Sequence, residues 1–361
     1  MHEVIVIGGG VIGLSIARQF AGRKSVLVLD RAATGEGTSW AAAGMLSPLS
    51  EGDDRDPFFK LCRASHDLYR QFIDELEEET GIDCGYSGSG LLSLASSEES
   101  AIALRRRYEW QRKAGLAVEN ISSDEVRKME PLITAKILTA LFMPGESSVV
   151  PRELVNALRD SCSKRGVEIR TGVRVHGISK NTVRTDHATF EALSIVIASG
   201  VWSAELAGLD PPIPVYPRKG QILSLCMPAG AFRHMIRWQH SYFVPRNTGD
   251  LVVGATDEDA GFDRSLTPAG LGKLLADAQA ISSEVGSYPI LETWTGLRPA
   301  TPDGLPVIGP SAIPGVFYAA GHYRNGVLLA PITASIIADL VLNGISGVNI
   351  EAYAPSRFAG K

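Results

Sequence analysis

The chain has 361 residues, 45% of them hydrophobic and 21% charged, an ordinary globular composition with length enough for two domains or one elaborate one. A net charge of −5 argues against a nucleic-acid binder, whose domain carries a basic face. The 37 glycines point away from a helix bundle, toward tight turns and close backbone approaches.

Glu3 to Ile7 reads as a short apolar β run. Glycines follow, then "LSIARQFAG" at helical spacing, then "SVLVLD", a second β run ending at Asp30. This is a β-α-β unit. A loop of small residues, "GEGTSWAAAGML", comes next. Residues 57–80 read as a helix, with Asp56 as cap, Pro57 in the first turn and Gly81 at the end. "DCGYSGSGLLSLA" reads as turn and strand and holds no G-x-S-x-G, so a nucleophile elbow is not supported. Residues 97–117 form a second long helix and 122–130 a short one. The densest basic cluster, "LRRRYEWQRK" (104–113), falls in the former and reads as a solvated helix face.

A helix started by Pro151 and closed by Gly166 leads into two β runs, and a buried strand runs from Ile195 to Ser199. Residues 215–256 are β-rich and 268–284 helical. Strands and loops return over 292–330, and a helix after Gly326 closes the chain. No internal repeat or low-complexity segment is visible. The order implies an α/β chain with a discontinuous nucleotide domain and a sheet-built second domain.

Gly8, Gly10 and Gly13 fit G-x-G-x-x-G between a strand and a helix. The first allows the tight turn, the second lets a pyrophosphate approach the backbone, and the third lets helix and strand pack closely. The helix N-terminus then faces the phosphates with its positive end. Asp30, at the end of the second strand, is placed to accept from a ribose hydroxyl, which disfavours a 2′-phosphate and leaves NAD or FAD. Near the C-terminus, Arg324 sits among small and apolar residues. A guanidinium stays charged at any working pH, so it requires water or an anion.

The four cysteines, Cys62, Cys84, Cys162 and Cys226, are scattered, without metal spacing or CxxC, and read as reduced thiols of a cytoplasmic protein. The run "VIVIGGGVIGL" is too short and glycine-rich to span a bilayer, and no run of 18 apolar residues occurs elsewhere. No metal site is expected.

"VIVIGGGVIGLSIA" with Asp30, then "GTSWAAAGML", "VVPRELVNAL", "IVIASGVWS", "GLRPATPDGLPVIG" and "GHYRNGVLLAP" run in an order that resembles the D-amino-acid-oxidase-like flavoprotein superfamily, and within it the glycine oxidases. The resemblance covers nearly the whole chain. It implies a Rossmann-like FAD-binding domain over 1–84, 145–214 and 295–361, and a β-sheet-based substrate domain over 85–144 and 215–294. Val11, Ile12, Asp30 and Arg31 would hold the ADP half of FAD, and Val173 would meet the adenine through its backbone. Thr38, Ser39, Ala43, Gly44 and Met45 would line the pyrophosphate and flavin side. The segment His322, Tyr323, Arg324, Asn325, Gly326, Val327, Leu328 would wrap the flavin ring.

By the same resemblance Arg298 binds the substrate carboxylate, for which a planar guanidinium offers two parallel hydrogen bonds. Arg324 would add positive field, and Tyr242 would help hold the carboxylate. His240, two residues earlier on the same strand face, and Met45 would lie near the substrate. Asp257 departs from the pattern: a carboxylate there would repel an acidic substrate or pair with an arginine. The implied activity is oxidative deamination of glycine, sarcosine or small D-amino acids by hydride transfer to FAD. Its products are a 2-oxo acid, ammonia and hydrogen peroxide, and its implied place is thiamine biosynthesis. A dehydrogenase passing electrons to a quinone or carrier is the alternative. Relatives often assemble as tetramers, and no side chain is nominated as a catalytic base.

Overall fold

The computed structural model describes residues 1–51 and 56–360. Positions 52–55 and 361, which belong to the expected segments 1–84 and 295–361, lie outside the described residues. The strand His2–Ile7 sits at the centre of the first sheet, parallel to Val26–Leu29 on one side and Thr189–Ile197 on the other. Glu168–Arg170 extends one flank in parallel, Val316–Ala320 the other, and Val307–Pro310 closes that edge antiparallel.

Parallel strands need cover on both faces, which is why these runs are continuously apolar. Val4, Val6, Val28 and Val196 pack under the helices Val11–Phe20, Pro57–Thr80, Pro151–Lys164 and Ala330–Asn343. Ile5, Ile7, Leu27 and Leu29 face the other way, against Ile178, Val183 and Leu206. Gly13 fixes the helix close to the strand: a Cβ there would meet the Gly8 carbonyl and come 3.3 Å from Val6.

The second sheet has eight strands in the order Ile290–Ala300, Tyr216–Cys226, Asp250–Gly254, Ser241–Pro245, Met235–Trp238, Leu91–Ala95, Thr139–Met143, Glu119–Ile121. All neighbours are antiparallel except Met235–Trp238 with Leu91–Ala95. The helices Pro268–Ile281 and Ser123–Met129 pack on one face through Leu274, Ala278 and Val126. The other face meets Ala41, Leu49 and Phe59 from the segment that follows the first β-α-β unit. That seam holds the site.

Several elements differ from their expected bounds. The helix read at 97–117 spans Glu98–Lys113, and Gly115, at φ +73°, turns the chain beyond it. The last helix begins at Ala330, where Pro331 suits the first turn, and Gly326–Leu329 forms turns ahead of it. The buried strand is Thr189–Ile197, so Ser199 falls past its end. In the basic cluster Arg105, Arg106, Arg112 and Lys113 are exposed, but Arg107 turns inward and donates to the Leu49 carbonyl at 2.7 Å. Among the described residues no helix is long and apolar enough to cross a membrane, and no cluster of three or more His, Cys, Asp and Glu side chains is arranged to hold a metal.

Candidate active site

A long cleft opens at the carboxyl ends of the first sheet's strands, where open α/β sheets bind ligands. Gly8, Gly10, Val11, Ile12, Asp30 and Arg31 line one end of it, with Val173. Gly8 has φ +111°, and a Cβ there would come within 2.9 Å of the Ser199 Cα, so two backbones pass where no side chain fits. Asp30 is tied into the glycine turn: Oδ2 accepts from the Gly9 N–H at 2.6 Å and Oδ1 from Ala32 at 2.9 Å. Burial raises its pKa against those backbone N–H groups, which lower it. Ser39 Oγ accepts from the Val11 N–H at 3.0 Å, capping the glycine helix from outside. The Val173 N–H is taken by the Asp30 carbonyl at 2.8 Å.

Arg31, Arg174, Arg264 and Arg324 line the cleft against the acids Asp30, Glu36 and Glu205. A glycine turn at a helix N-terminus, an acid at the second strand's end and four guanidiniums fit a dinucleotide with an anionic pyrophosphate. At the far end the cleft reaches His322, Tyr323, Arg324, Gly326 and Val327. His322 is buried, touches Thr333 Oγ1 through Nε2 at 3.1 Å, and is pushed down to about 3 by desolvation, so it stays neutral.

A second cavity adjoins the first through Thr38, Ala42, Tyr323, Arg324 and Val327, which line both. Its floor is one face of the second sheet, two adjacent rows deep. Arg237 pairs with Tyr242, Tyr242 with Gly254, Gly254 with Ile222, and Gly220 with Gly296, two residues before Arg298. The glycines leave the floor bare so that the Arg298 and Tyr242 side chains can lie against it. A Cβ on Gly220 would come 2.7 Å from Arg298 Cζ, and one on Gly254 would come 2.5 Å from the Tyr242 hydroxyl.

Arg298 is nearly buried and donates through Nη1 to the Thr256 carbonyl at 3.0 Å, which fixes the guanidinium without neutralising it. Desolvation raises the Tyr242 pKa, and the adjacent Arg298 charge opposes the rise. Asp257 does not line the cavity. Its carboxylate takes Arg218 Nε at 3.0 Å and the Tyr323 hydroxyl at 2.9 Å, with Arg298 Nη1 at 3.9 Å. Desolvation works to raise its pKa, yet the hydrogen bonds from Arg218 and Tyr323 hold it below the ordinary value. The pairing with an arginine that the sequence allowed is the arrangement found.

The "GLRP" and "GHYRNG" motifs meet directly, with the Tyr323 N–H on the Pro299 carbonyl at 2.9 Å. Thr38 Oγ1 donates to the Leu297 carbonyl at 2.5 Å, tying the short helix Thr38–Ala41 to the same strand. Ala43, Gly44, Met45 and Asn325 line the second cavity. The exposed Arg324 guanidinium lies 4.8 Å from the centre of the Tyr323 ring.

Three expected residues line neither cavity, the first being Gly13, which seats the helix on its strand instead. His240 lies in the turn between the strands Met235–Trp238 and Ser241–Pro245, is exposed, and lines neither cavity. The two-residue alternation that would put it beside Tyr242 fails because the strand starts only at Ser241. Leu328 is buried and lines neither cavity, and its carbonyl accepts from Ser65 at 2.6 Å.

Other residues were not foreseen. Trp202 lines the cleft with Arg31 4.6 Å from its ring centre, and Arg264 reaches the cleft from beyond the second sheet's Asp250–Gly254 strand. Arg246 supports the small-residue loop by donating to the Ala43 and Val149 carbonyls at 2.6 and 2.8 Å. Arg237 and Glu51 line the second cavity 3.8 Å apart. Glycines in β runs were the available signal for the floor, but they carry no information about which strands lie side by side.

Residues 3–340 match the family described as DAO, FAD dependent oxidoreductase. The glycine oxidase of Geobacillus kaustophilus is 35% identical over 369 residues, covering 100% of this chain and 98% of that protein. Its crystal structure superposes with a TM-score of 0.94 at 34% identity, covering 98% of each chain. The bifunctional protein ThiO/ThiG of Synechocystis is 36% identical over 99% of this chain, which spans 54% of that longer protein. The fold, the glycine-built cleft and these matches together make the chain a member of the DAO family of FAD-dependent oxidoreductases.

Proposed function

We propose that the protein is an FAD-dependent oxidase of glycine and other small amino acids or amines, sarcosine and small D-amino acids among them. The observation that carries this reading is Arg298. It is a nearly buried guanidinium, braced by a carbonyl and laid on a glycine floor, and it faces a small cavity that opens into the cofactor cleft. Such a group selects a carboxylate and fixes its direction.

Tyr242 beside it offers a hydroxyl to the same carboxylate, and Arg324 adds positive field at the junction of the two cavities. Ala43, Met45 and Ile222 leave room for a small Cα substituent. With the carboxylate clamped, the Cα–H is directed at the junction lined by Thr38, Tyr323 and Val327. Near-attack positioning of this kind supplies roughly 7–11 kcal/mol of a barrier. FAD, when bound, provides the two-electron oxidation and its return to oxygen, so that the substrate leaves as an imine that water hydrolyses. Among the residues proposed to hold it, Gly8, Gly10, Val11, Ile12, Asp30, Arg31 and Val173 take the ADP half.

The expected domain division, with 85–144 and 215–294 as the substrate domain, is supported by the two large sheets, except that the strand Ile290–Ala300 carries the second sheet past 294 to Ala300. The names of the relatives support oxygen as the electron acceptor and a place in thiamine synthesis. A cytoplasmic homo-oligomer belongs to the same reading. The test is the visible spectrum of the purified holoenzyme, with glycine, sarcosine and D-alanine added anaerobically. Bleaching, then recolouring in air with peroxide, is expected with at least one. Bleaching without recolouring would give the dehydrogenase instead, and no bleaching with any amino acid would overturn the reading.

A further inference from the structure

The substrate cavity has a wall whose support lies outside it. Ser47, Ser50 and Glu51 line the cavity, and between them the short turn Pro48–Ser50 turns Leu49 inward. Two other elements grip Leu49 by its backbone. From the helix Glu98–Lys113, Arg107 Nη1 and Gln111 Nε2 each donate to its carbonyl at 2.7 Å. From the turn before Ser147–Ser148, Glu146 Oε1 accepts its N–H at 3.3 Å. Glu146 is 1% exposed. Within ordinary hydrogen-bond geometry its buried Oε2 has no partner among the described residues, nor do Ser47 Oγ and Gln111 Oε1, although the Ser47 hydroxyl is near enough to act on the carboxyl. A carboxylate held this way would strand half its charge in a dry site, whereas a neutral acid would leave only a hydroxyl to place.

We propose that Glu146 is a positioning residue that works as a neutral carboxylic acid, holding the Ser47–Glu51 wall in the shape that accepts the substrate. The proposal rests on the reading of this cavity as the substrate site. The cations around the carboxyl work against this state, and burial outweighs them. Burial pushes the Glu146 pKa up to about 8, against the Leu49 N–H, the Ser47 hydroxyl and the Arg237 and Arg63 charges, which pull it down. Arg63 and Cys62 come from the helix Pro57–Thr80, Arg107 from Glu98–Lys113, Arg237 from Met235–Trp238, and Glu51 from the wall itself. His66, on the same long helix, contacts Ser147 at 3.2 Å instead. When the carboxyl ionises it competes with Glu51 for Arg237, a cavity-lining group, and the wall shifts.

The test compares holoenzyme KM and kcat from pH 6.5 to 9.5 in the wild type, Glu146→Gln and Glu146→Leu, with FAD affinity followed by flavin fluorescence. A wild-type KM that rises through pH 8 is expected. Glu146→Gln, which keeps an acceptor for Leu49 and cannot ionise, should match the wild-type KM at pH 7 and stay flat above it. Glu146→Leu should raise KM about 10-fold at all pH with unchanged FAD affinity, the loss expected for one buried hydrogen-bond partner. If Glu146→Gln follows the wild-type KM profile, or if folded, FAD-loaded Glu146→Leu keeps the wild-type KM, the proposal falls. Should no amino acid turn over, the substrate reading fails separately. The neutral acid is then decided by infrared difference spectra of the holoenzyme: a protonated-carboxyl band lost through pH 8 in the wild type and missing in Glu146→Gln supports it, and identical spectra overturn it.

Discussion

Arg298 is the residue proposed to hold the substrate carboxylate, and that role makes a sharp prediction. Arg298→Met should lower kcat/KM for glycine by roughly 10²–10³-fold, since removing one side of a buried charge-assisted pair costs about 2–5 kcal/mol. Arg298→Lys should recover only part of this, because an ammonium lacks the planar fork. Flavin fluorescence titration should return unchanged FAD affinity for both, which separates loss of substrate contact from loss of the cofactor. That Arg298 would be singled out was legible in the sequence because "GLRP" is a short, specific string, and the structure sets it in the wall of the small cavity. Its setting was not legible. That Gly220 and Gly254 clear space for Arg298 and Tyr242 depends on which strands lie side by side, Gly220 being paired with Gly296 and Gly254 with Tyr242. His240 failed for a local reason: the chain turns there, and two-residue alternation holds only inside a strand.

Elements whose ends carry their own chemistry were read well. The helix Pro57–Thr80 has Asp56 accepting the Phe58 N–H at 2.8 Å, proline in its first turn, and Gly81 at φ +75° closing it. This helix contributes Tyr69, whose hydroxyl donates to the Val327 carbonyl at 2.8 Å, and so it braces the segment at the junction of the two cavities. Asp56→Ala should therefore cost about 1 kcal/mol of stability through the lost cap. The check is a lower denaturation midpoint at unchanged m-value, with substrate KM unmoved. The last helix was harder to place. Small and apolar residues run unbroken from Gly326 into Ala330, and the turn between them is set by tertiary partners, Ser65 and Tyr69, that no local pattern encodes.

At the scale of the whole molecule, two buried groups and one ion-paired group shape stability against pH in opposite directions. His322 is pushed down to about 3 from 6.5 by desolvation. As pH falls through that interval the unfolded chain binds a proton that the native state refuses, so stability is lost toward acid. Glu79, lowered from 4.5 to about 2 chiefly by its hydrogen bond from Arg165, loses its contribution as pH falls through that range. Glu146 is raised from 4.5 to about 8, so its contribution is complete below 4.5 and is lost as pH rises to 8. Between 4.5 and 6.5 the His322 and Glu146 slopes, each at most ~1.4 kcal/mol per pH unit, oppose one another. A stability plateau is therefore expected there, with decline on both sides. Chemical denaturation at fixed pH steps would map it. Glu146→Gln should remove the decline from 6.5 to 8 and leave the acid limb. His322→Gln should soften the acid limb and expose the Glu146 slope from 4.5 upward. If both variants keep the wild-type profile, other groups set the curve, and the neutral state of His322 at the cofactor cleft has no measurable cost.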